Sequence, residues 1–386
     1  MSASVLIAVT HLLGSGHLVR AANLARALAQ NGFAVTLASG GMPLRAMEGE
    51  PFAFVQLPPI KTEGTDFRTL LDEAGQAIDP QRNAARIAML EELAARLRPD
   101  AVIVEHFPFG RRQLAAEFLA LIAATKAARP EALVLSSVRD VLVTPRPDRI
   151  AEAEERIAGL FDAILVHGDA GFLPLDRSWP VGKGLAAKLR CTGYLADDRP
   201  VGPAQENGEI IVSGGGSATA LPLFACAVAA ARLDRSGRRW RLLAGRGMAD
   251  ADLALLMAEA PDKVVIERAR PDFPALLAGC AVSISQAGYN TVLDLVAAGR
   301  PAIVVPFDAG NETEQTVRAE AMERAGLARC FRLSGDFVAD TVALADAVGE
   351  AFGSKPPTLP IDLEGAARSA AIVTELLAEV AIRAGH

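Results

Sequence analysis

A chain of 386 residues, 51% hydrophobic and 22% charged, is long enough for two globular domains and too apolar for a disordered tail. A net charge of −7 with a pI near 5.4 argues against nucleic acid as the main partner, and no uninterrupted run of about 18 apolar residues offers a membrane span. The four cysteines (Cys191, Cys226, Cys280, Cys330) are scattered, without a CxxC pair or a histidine at ligand spacing, which predicts a reduced cytoplasmic protein without structural zinc.

The chain opens directly on an apolar strand, Ser4 to Thr10, with none of the basic region and long apolar stretch of a signal peptide. Leu18, Ala21, Ala22, Ala25, Leu28 and Ala29 then fall at helical spacing, Gly32 stops the helix, and Phe33 to Ala38 forms the second strand. Gly14, Ser15, Gly16 and His17 therefore stand at a strand-to-helix turn. A dinucleotide fingerprint would need a third glycine where Val19 is, and an acid where Ser39-Gly40-Gly41 follows the second strand, so nicotinamide binding is disfavoured. Two readings stay open for His17, one of five histidines: a polar cap, or a group facing a ligand that the glycines allow close to the backbone. Arg20, one turn on, orients His17, binds an anionic group, or is an ordinary helix-surface arginine.

Phe52 to Leu57 reads as a short strand, Pro58 to Asp66 as a polar loop, and Gln81 to Arg98 as an amphipathic helix ended by Pro99. Ala101 to Glu105 is a buried strand that delivers Glu105 and His106 to a carboxyl end, where site residues gather. Arg111 and Arg112 follow, either as phosphate ligands or as solvated charges. Leu133 to Ser137 leads to Arg139 and Asp140, which bind a ligand or pair locally, and Ala163 to Val166 is a further strand. Short strands alternating with helices from residue 4 to about 170 specify an α/β parallel sheet.

Ala196 to Gly208 is rich in proline, glycine and charge, as in a linker. A second strand-helix series begins at Glu209 to Val212. The following Ser213, Gly214, Gly215, Gly216 and Ser217 form either a phosphate cradle or a flexible turn. Trp240 to Ala244 leads to Arg246, and Val264 to Glu267 is another strand. Ser285 to Arg318 then gives a strand end, a turn at Gly288, a helix capped by Asn290, a stop at Gly299 and Pro301, a buried strand from Ala302 to Val305, and a capping box of Asn311 and Glu314. A helix start of this kind suits a phosphate, with Asp294 one turn in to accept from a sugar hydroxyl, and Glu314 and Gln315 facing the same crevice. An ordinary βαβ unit with solvated loop polars is the alternative. Val338 to Phe352 and Ala366 to Ala384 read as helices.

Ser285, Ala287, Gly288, Thr291 and Asp294, then Ala297, Ala298, Gly299, Pro301, Val305, Pro306 and Phe307, then Glu314 and Gln315, resemble the donor-binding motif of the MurG-like transferases. These form glycosyltransferase family 28 in the GT-B superfamily. Asp294 stands where that family has a ribose-binding glutamate, and Glu314 where it has the first glutamine of a pair that reads the donor sugar. The turn from Gly14 to Arg20 resembles the family's N-terminal loop, and Ser213 to Ser217 its glycine turn. The segments SSVRD, VHGDAGFLPLD and TGYL are similar to a subgroup of MurG-like sequences.

The resemblance implies a GT-B fold, two Rossmann-like α/β domains facing across a cleft. Residues 1–195 would form the acceptor domain, 196–208 the linker and 209–365 the nucleotide-sugar domain, with a helix at 366–386 returning to the first domain. The donor site would comprise Gly214, Gly215, Gly216, Ser217, Arg246, Gln286, Ala287, Gly288, Asn290, Thr291, Asp294, Glu314 and Gln315. On the acceptor side stand Gly14, Ser15, Gly16, Arg20, Glu105, His106 and Arg139, with His17 as general base. The implied activity is inverting transfer of a hexosyl group from a nucleotide diphospho-sugar, UDP-sugar first, to a hydroxyl acceptor, free or lipid-linked. No cofactor beyond that co-substrate and no metal are expected, and the place of work would be the cytoplasm or the inner face of the membrane. The same resemblance accommodates a sugar-nucleotide hydrolase similar to the pseudaminic acid pathway enzyme, a non-hydrolysing 2-epimerase, or a non-catalytic partner in glycan assembly.

Overall fold

The computed structural model describes residues 2–12, 15–44, 47, 49–63, 66–196, 206–215, 218–245, 247–307, 313–355 and 361–384. Two compact units divide the chain, Met1–Asp197 with Ile361–His386, and Asp198–Pro360. The first holds β1 (Ser4–Val9), α1 (Gly16–Gln30), β2 (Ala34–Ser39), β3 (Ala53–Gln56), β4 (Lys61–Glu63), β5 (Asp66–Leu71), α2 (Pro80–Leu97), β6 (Ala101–Glu105) and α3 (Ala115–Ala128). It continues with β7 (Leu133–Arg139), α4 (Pro147–Leu160), β8 (Ala163–His167), α5 (Lys183–Lys188) and β9 (Leu189–Cys191). The second unit holds β10 (Ile210–Ser213), α6 (Leu221–Leu233), β11 (Trp240–Ala244), α7 (Asp250–Glu259), β12 (Val264–Arg268) and α8 (Phe273–Ala278). Then follow β13 (Val282–Ser285), α9 (Tyr289–Ala298), β14 (Ala302–Val304), α10 (Glu314–Arg324), β15 (Arg329–Cys330) and α11 (Phe337–Ala351), before α12 (Gly365–Ala384) rejoins the first unit.

Each unit is built on one parallel sheet. The order is β3-β2-β1-β6-β7-β8-β9 in the first and β12-β11-β10-β13-β14-β15 in the second. Both are doubly wound. The direction of winding reverses between β1 and β6 in one unit and between β10 and β13 in the other, so the loops after those strands diverge and leave a crevice at the carboxyl edge. This topology decides where the candidate site lies in each unit.

Strand alternation explains the layers. Leu6, Ala8, Val102 and Val104 pack on one face of the first sheet with Leu90, Leu93, Phe118 and Leu121 of α2 and α3. Val5, Ile7, Ala101 and Ile103 pack on the other with Leu18, Leu24 and Leu28 of α1 and with Ala370, Val373 and Leu376 of α12. The returning chain is tied to the departing one before α12 begins. Leu195 bridges Glu364 in antiparallel sense, the Tyr194 N–H donates to Asp362 O at 2.8 Å, and the Gly365 N–H donates to Tyr194 O at 3.1 Å. In the second unit Ile210, Val212, Leu242, Val282 and Ile284 pack against Phe224, Ala227 and Leu344 of α6 and α11.

Three local expectations are corrected. The stretch from Pro58 to Asp66 is not loop throughout, because β4 and β5 form an antiparallel hairpin there, anchored where the Thr62 N–H donates to Leu12 O at 3.0 Å. Its strands carry charge and threonine rather than an apolar alternation, so no periodicity announces them. The cap of α9 is Gly288, not Asn290, which lies inside the first turn; Gly288 has φ −67°, so no left-handed backbone calls for a glycine there. α10 begins at Glu314 itself, capped by Thr313 without a side-chain hydrogen bond, so Glu314 does not occupy the third position of a capping box, and Asn311 lies outside the described residues.

Candidate active site

At the reversal in the first sheet, α1 follows β1 and the loop Glu105–Gly110 follows β6. Ser15 caps α1 and Gly16 is its first residue, which puts His17 in the opening turn, while Gly14 lies outside the described residues. His17 Nδ1 stands 2.7 Å from Glu105 Oε1. Arg20, one helical turn on and buried, donates from its guanidinium to the same oxygen and stands 3.4 Å from His17 Nδ1. Glu105 is fully buried and its Oε2 has no hydrogen-bond partner among the described residues.

Burial above all, then the guanidiniums of Arg111, Arg139 and Arg20, holds the His17 imidazole well below its usual 6.5. The Glu105 carboxylate pulls the other way, but Arg20 shares its oxygen, and the downward direction is the one that holds. A neutral His17 facing a carboxylate must donate Nδ1–H, which leaves the Nε2 lone pair as a base. The arrangement is that of a base oriented by a buried acid.

His106 completes the cluster. Its φ of +66° is in the left-handed region, its N–H donates to Ser137 O at 2.9 Å, and its carbonyl accepts from the Gly110 N–H at 2.8 Å. A Cβ on Gly110 would come within 2.3 Å of the His106 ring, so only glycine fits beneath it. The ring meets His17 edge to face, centroids 5.5 Å apart, and burial keeps it neutral, well below 6.5. Arg139 ends β7 opposite His167 and acts on His17 through its charge. The Asp140 carboxylate accepts from the Tyr194 hydroxyl at 3.0 Å and the Val141 N–H at 2.9 Å.

In the second unit, the crevice between β10 and β13 gathers the other motif. Gly215 has φ +62°, and its N–H donates to Ser213 Oγ at 3.3 Å. A Cβ on Gly214 would stand 2.0 Å from that of Ala220, so the glycine lets the loop fold onto the start of α6. Carbons added at Gly215 and Gly288 would lie 3.8 and 3.7 Å from Thr291 Oγ1, which places the glycine loop and the start of α9 close to one hydroxyl. The Gln286 amide donates to Thr219 O at 3.3 Å, joining the same two loops. Ala287 and Glu314 are buried, and Asp294 is half-buried in the second turn of α9. Gly216, Ser217 and Arg246 lie outside the described residues. A helix start beside a glycine loop suits an anionic oxygen cluster such as a diphosphate.

Sequence reasoning missed two buried groups. Arg86 of α2 forks onto Glu117 of α3, Nε to Oε2 and Nη2 to Oε1 both at 2.8 Å, and its remaining donors reach Gly40 O, Pro58 O and Thr10 Oγ1. Arg318 of α10 donates to Ala287 O at 2.8 Å. An arginine within a polar helix pattern gives no signal of burial. Among the described residues no group of three or more His, Cys, Asp or Glu could hold a metal ion.

Residues 210–335 match the glycosyltransferase family 28 C-terminal domain, the unit that holds the glycine loop and α9. The chain is MurG-like, with that domain on a GT-B fold. Its relatives include UDP-N-acetylglucosamine--N-acetylmuramyl-(pentapeptide) pyrophosphoryl-undecaprenol N-acetylglucosamine transferases. The Mesorhizobium japonicum protein is 26% identical over 317 residues, 81% of this chain and 78% of the relative. That of Solidesulfovibrio magneticus is 29% identical over 170 residues, 42% of this chain and 44% of the relative. That of Solibacter usitatus is 43% identical over 61 residues, 16% of this chain and 17% of the relative, so the match with these last two spans less than half their length. Among solved structures, the calicheamicin glycosyltransferase CalG4 superimposes with a TM-score of 0.61 at 16% identity, covering 100% of this chain and 98% of that one. Acinetobacter baumannii MurG gives 0.58 at 15% identity, covering 98% and 100%. The sequence matches relate parts of the chain to glycosyltransferases, and the structural likenesses show the fold. Among the described residues no helix is long and apolar enough to cross a membrane.

Proposed function

We propose that this MurG-like protein is an inverting glycosyltransferase that moves a hexosyl group from a nucleotide diphospho-sugar, UDP-linked as in the names of its relatives, to a hydroxyl acceptor. The observation that carries the reading is His17 Nδ1 at 2.7 Å from the buried Glu105 carboxylate, at the winding reversal of the first sheet. His17 Nε2 takes the proton of the acceptor hydroxyl as its oxygen bonds to the anomeric carbon. The bond from that carbon to the diphosphate breaks with its electron pair leaving on the diphosphate. One in-line displacement inverts the centre. Glu105 fixes the His17 tautomer and stabilises the imidazolium that forms. In the second unit, the start of α9, beside the Gly214–Gly215 turn, takes up the charge of the leaving diphosphate, and Asp294 accepts from the ribose.

The nucleotide sugar is the only co-substrate this reading requires. The guanidiniums of Arg111 and Arg139, whose charge reaches His17, favour an acceptor with an anionic group near its hydroxyl, as in a pyrophosphoryl-linked lipid. Such an acceptor places the work at the cytoplasmic face of a membrane.

Calorimetry with UDP, dTDP and GDP tests the donor half, and tight binding of one is the expected outcome. His17→Ala should then lower kcat by about 10²–10⁴-fold with donor affinity retained. Failure of all three nucleotides to bind removes the transferase reading. Nucleotide release that proceeds without any acceptor turns it into hydrolysis.

A further inference from the structure

α10 grips the segment that leads into α9. The Gln315 side-chain oxygen accepts from the Ala287 N–H at 3.2 Å and from the Phe307 N–H at 3.1 Å. Both partners can only donate, so the orientation of the amide is fixed, with oxygen inward and the NH₂ group as its remaining capacity. Arg318, three residues on and on the same face of the helix, is 1% exposed and donates to the Ala287 carbonyl at 2.8 Å. Both backbone polar groups of the fully buried Ala287 are therefore taken by side chains of α10.

We propose that Gln315 and Arg318 are positioning residues that hold the start of α9 in the geometry a ligand diphosphate requires. The proposal rests on the donor reading above and deepens it. Ala287 immediately precedes Gly288, the cap of α9, so the direction of its peptide groups sets where the first N–H groups of the helix point. Gln286, on the other side, is tied to Thr219 near the start of α6. The clamp thus joins the loops after β13 and β14, and Gln286 ties the first of these to the loop after β10. Without Gln315, the Ala287 and Phe307 N–H groups lose their acceptor, and the loop must shift to find another. The arrangement also changes what Gln315 can read. Its carbonyl oxygen is committed to the backbone, so it addresses a ligand only through N–H donors, toward a phosphate or hydroxyl oxygen.

The test compares a nucleoside diphosphate with its own nucleoside on the full chain. Calorimetry first selects the tightest of UDP, dTDP and GDP for the unsubstituted protein, and displacement titration gives the matching nucleoside. Gln315→Leu and Arg318→Met should each weaken the diphosphate about tenfold or more, while the nucleoside changes by less than about twofold. Arg318→Lys, which keeps a donor at that place, should recover most of the loss. Should Arg318→Met fail to fold, Gln315→Leu and Arg318→Lys decide the matter. A loss shared equally by diphosphate and nucleoside, or no loss, overturns the positioning role and leaves the donor reading standing. If the unsubstituted protein binds none of the three, the donor reading fails and the proposal falls with it.

Discussion

Glu105 serves two partners with one oxygen: it receives Nδ1–H of His17 and the guanidinium of Arg20, while burial denies it water. These contacts compensate a buried carboxylate, whose value lies in the imidazolium it can stabilise. Glu105→Gln keeps the shape and removes the charge. It should lower kcat by about 10²-fold or more and leave nucleotide affinity within about twofold, measured by turnover and calorimetry on the same preparation. The pH profile follows from the direction of the His17 shift. The base must be neutral, and its imidazole titrates well below 6.5, so the acid limb of kcat/KM should fall below that pH. An acid limb above 6.5, or a near-normal rate in Glu105→Gln, would place the base elsewhere.

At the scale of elements, the Arg86–Glu117 fork joins α2 to α3 and secures the loops after β1 and β2. Gly40 lies so close that a Cβ there would come within 2.3 Å of the guanidinium. Breaking one side of such a buried pair leaves the other charge uncompensated. Arg86→Met should therefore cost about 3–5 kcal/mol in urea unfolding, and Arg86→Met with Glu117→Leu should recover a large part of it. If the double variant is no more stable than the single one, the loss comes from packing rather than from the stranded carboxylate. The pair also supports the site indirectly, because the two loops it braces carry His11 and Gly41, which lie against each other.

For the whole molecule, stability is tied to histidines that fold in their neutral form. His167 is fully buried between two hydroxyls, with Ser137 Oγ at 2.8 Å from Nε2 and Thr192 Oγ1 at 2.9 Å from Nδ1, and burial pushes it down to about 3. Between pH 6.5 and about 3 the unfolded chain binds a proton at this residue that the folded one does not. Stability therefore rises with pH across that window and is lost as pH falls, by about 1.4 kcal/mol per pH unit for one group. Chemical denaturation at several pH values should show this slope, and His167→Gln should reduce it by roughly one proton. An unchanged slope would assign the acid sensitivity to His17 and His106, which shift in the same direction.

What the chain's order of residues determined by itself was the alternation of short apolar strands with helices, the two glycine turns, and the motif from Ser285 to Gln315. Each is local: period and turn chemistry act over a few residues, so they can be read without knowing what packs where, whereas the caps of α9 and α10 fell elsewhere than expected. The strand from Ala101 to Glu105 and the helix carrying His17 and Arg20 were legible in the same way, and so was their place near a carboxyl end. Only the tertiary structure decided that Glu105, 88 residues from His17, meets its ring nitrogen, because that depends on β1 and β6 being neighbours at the reversal of winding. The same holds for Arg86 with Glu117 and for Gln315 and Arg318 with Ala287. A buried polar side chain has the same letter as an exposed one, and its partner is chosen by the fold, where an unpaired charge or N–H would be too costly to leave.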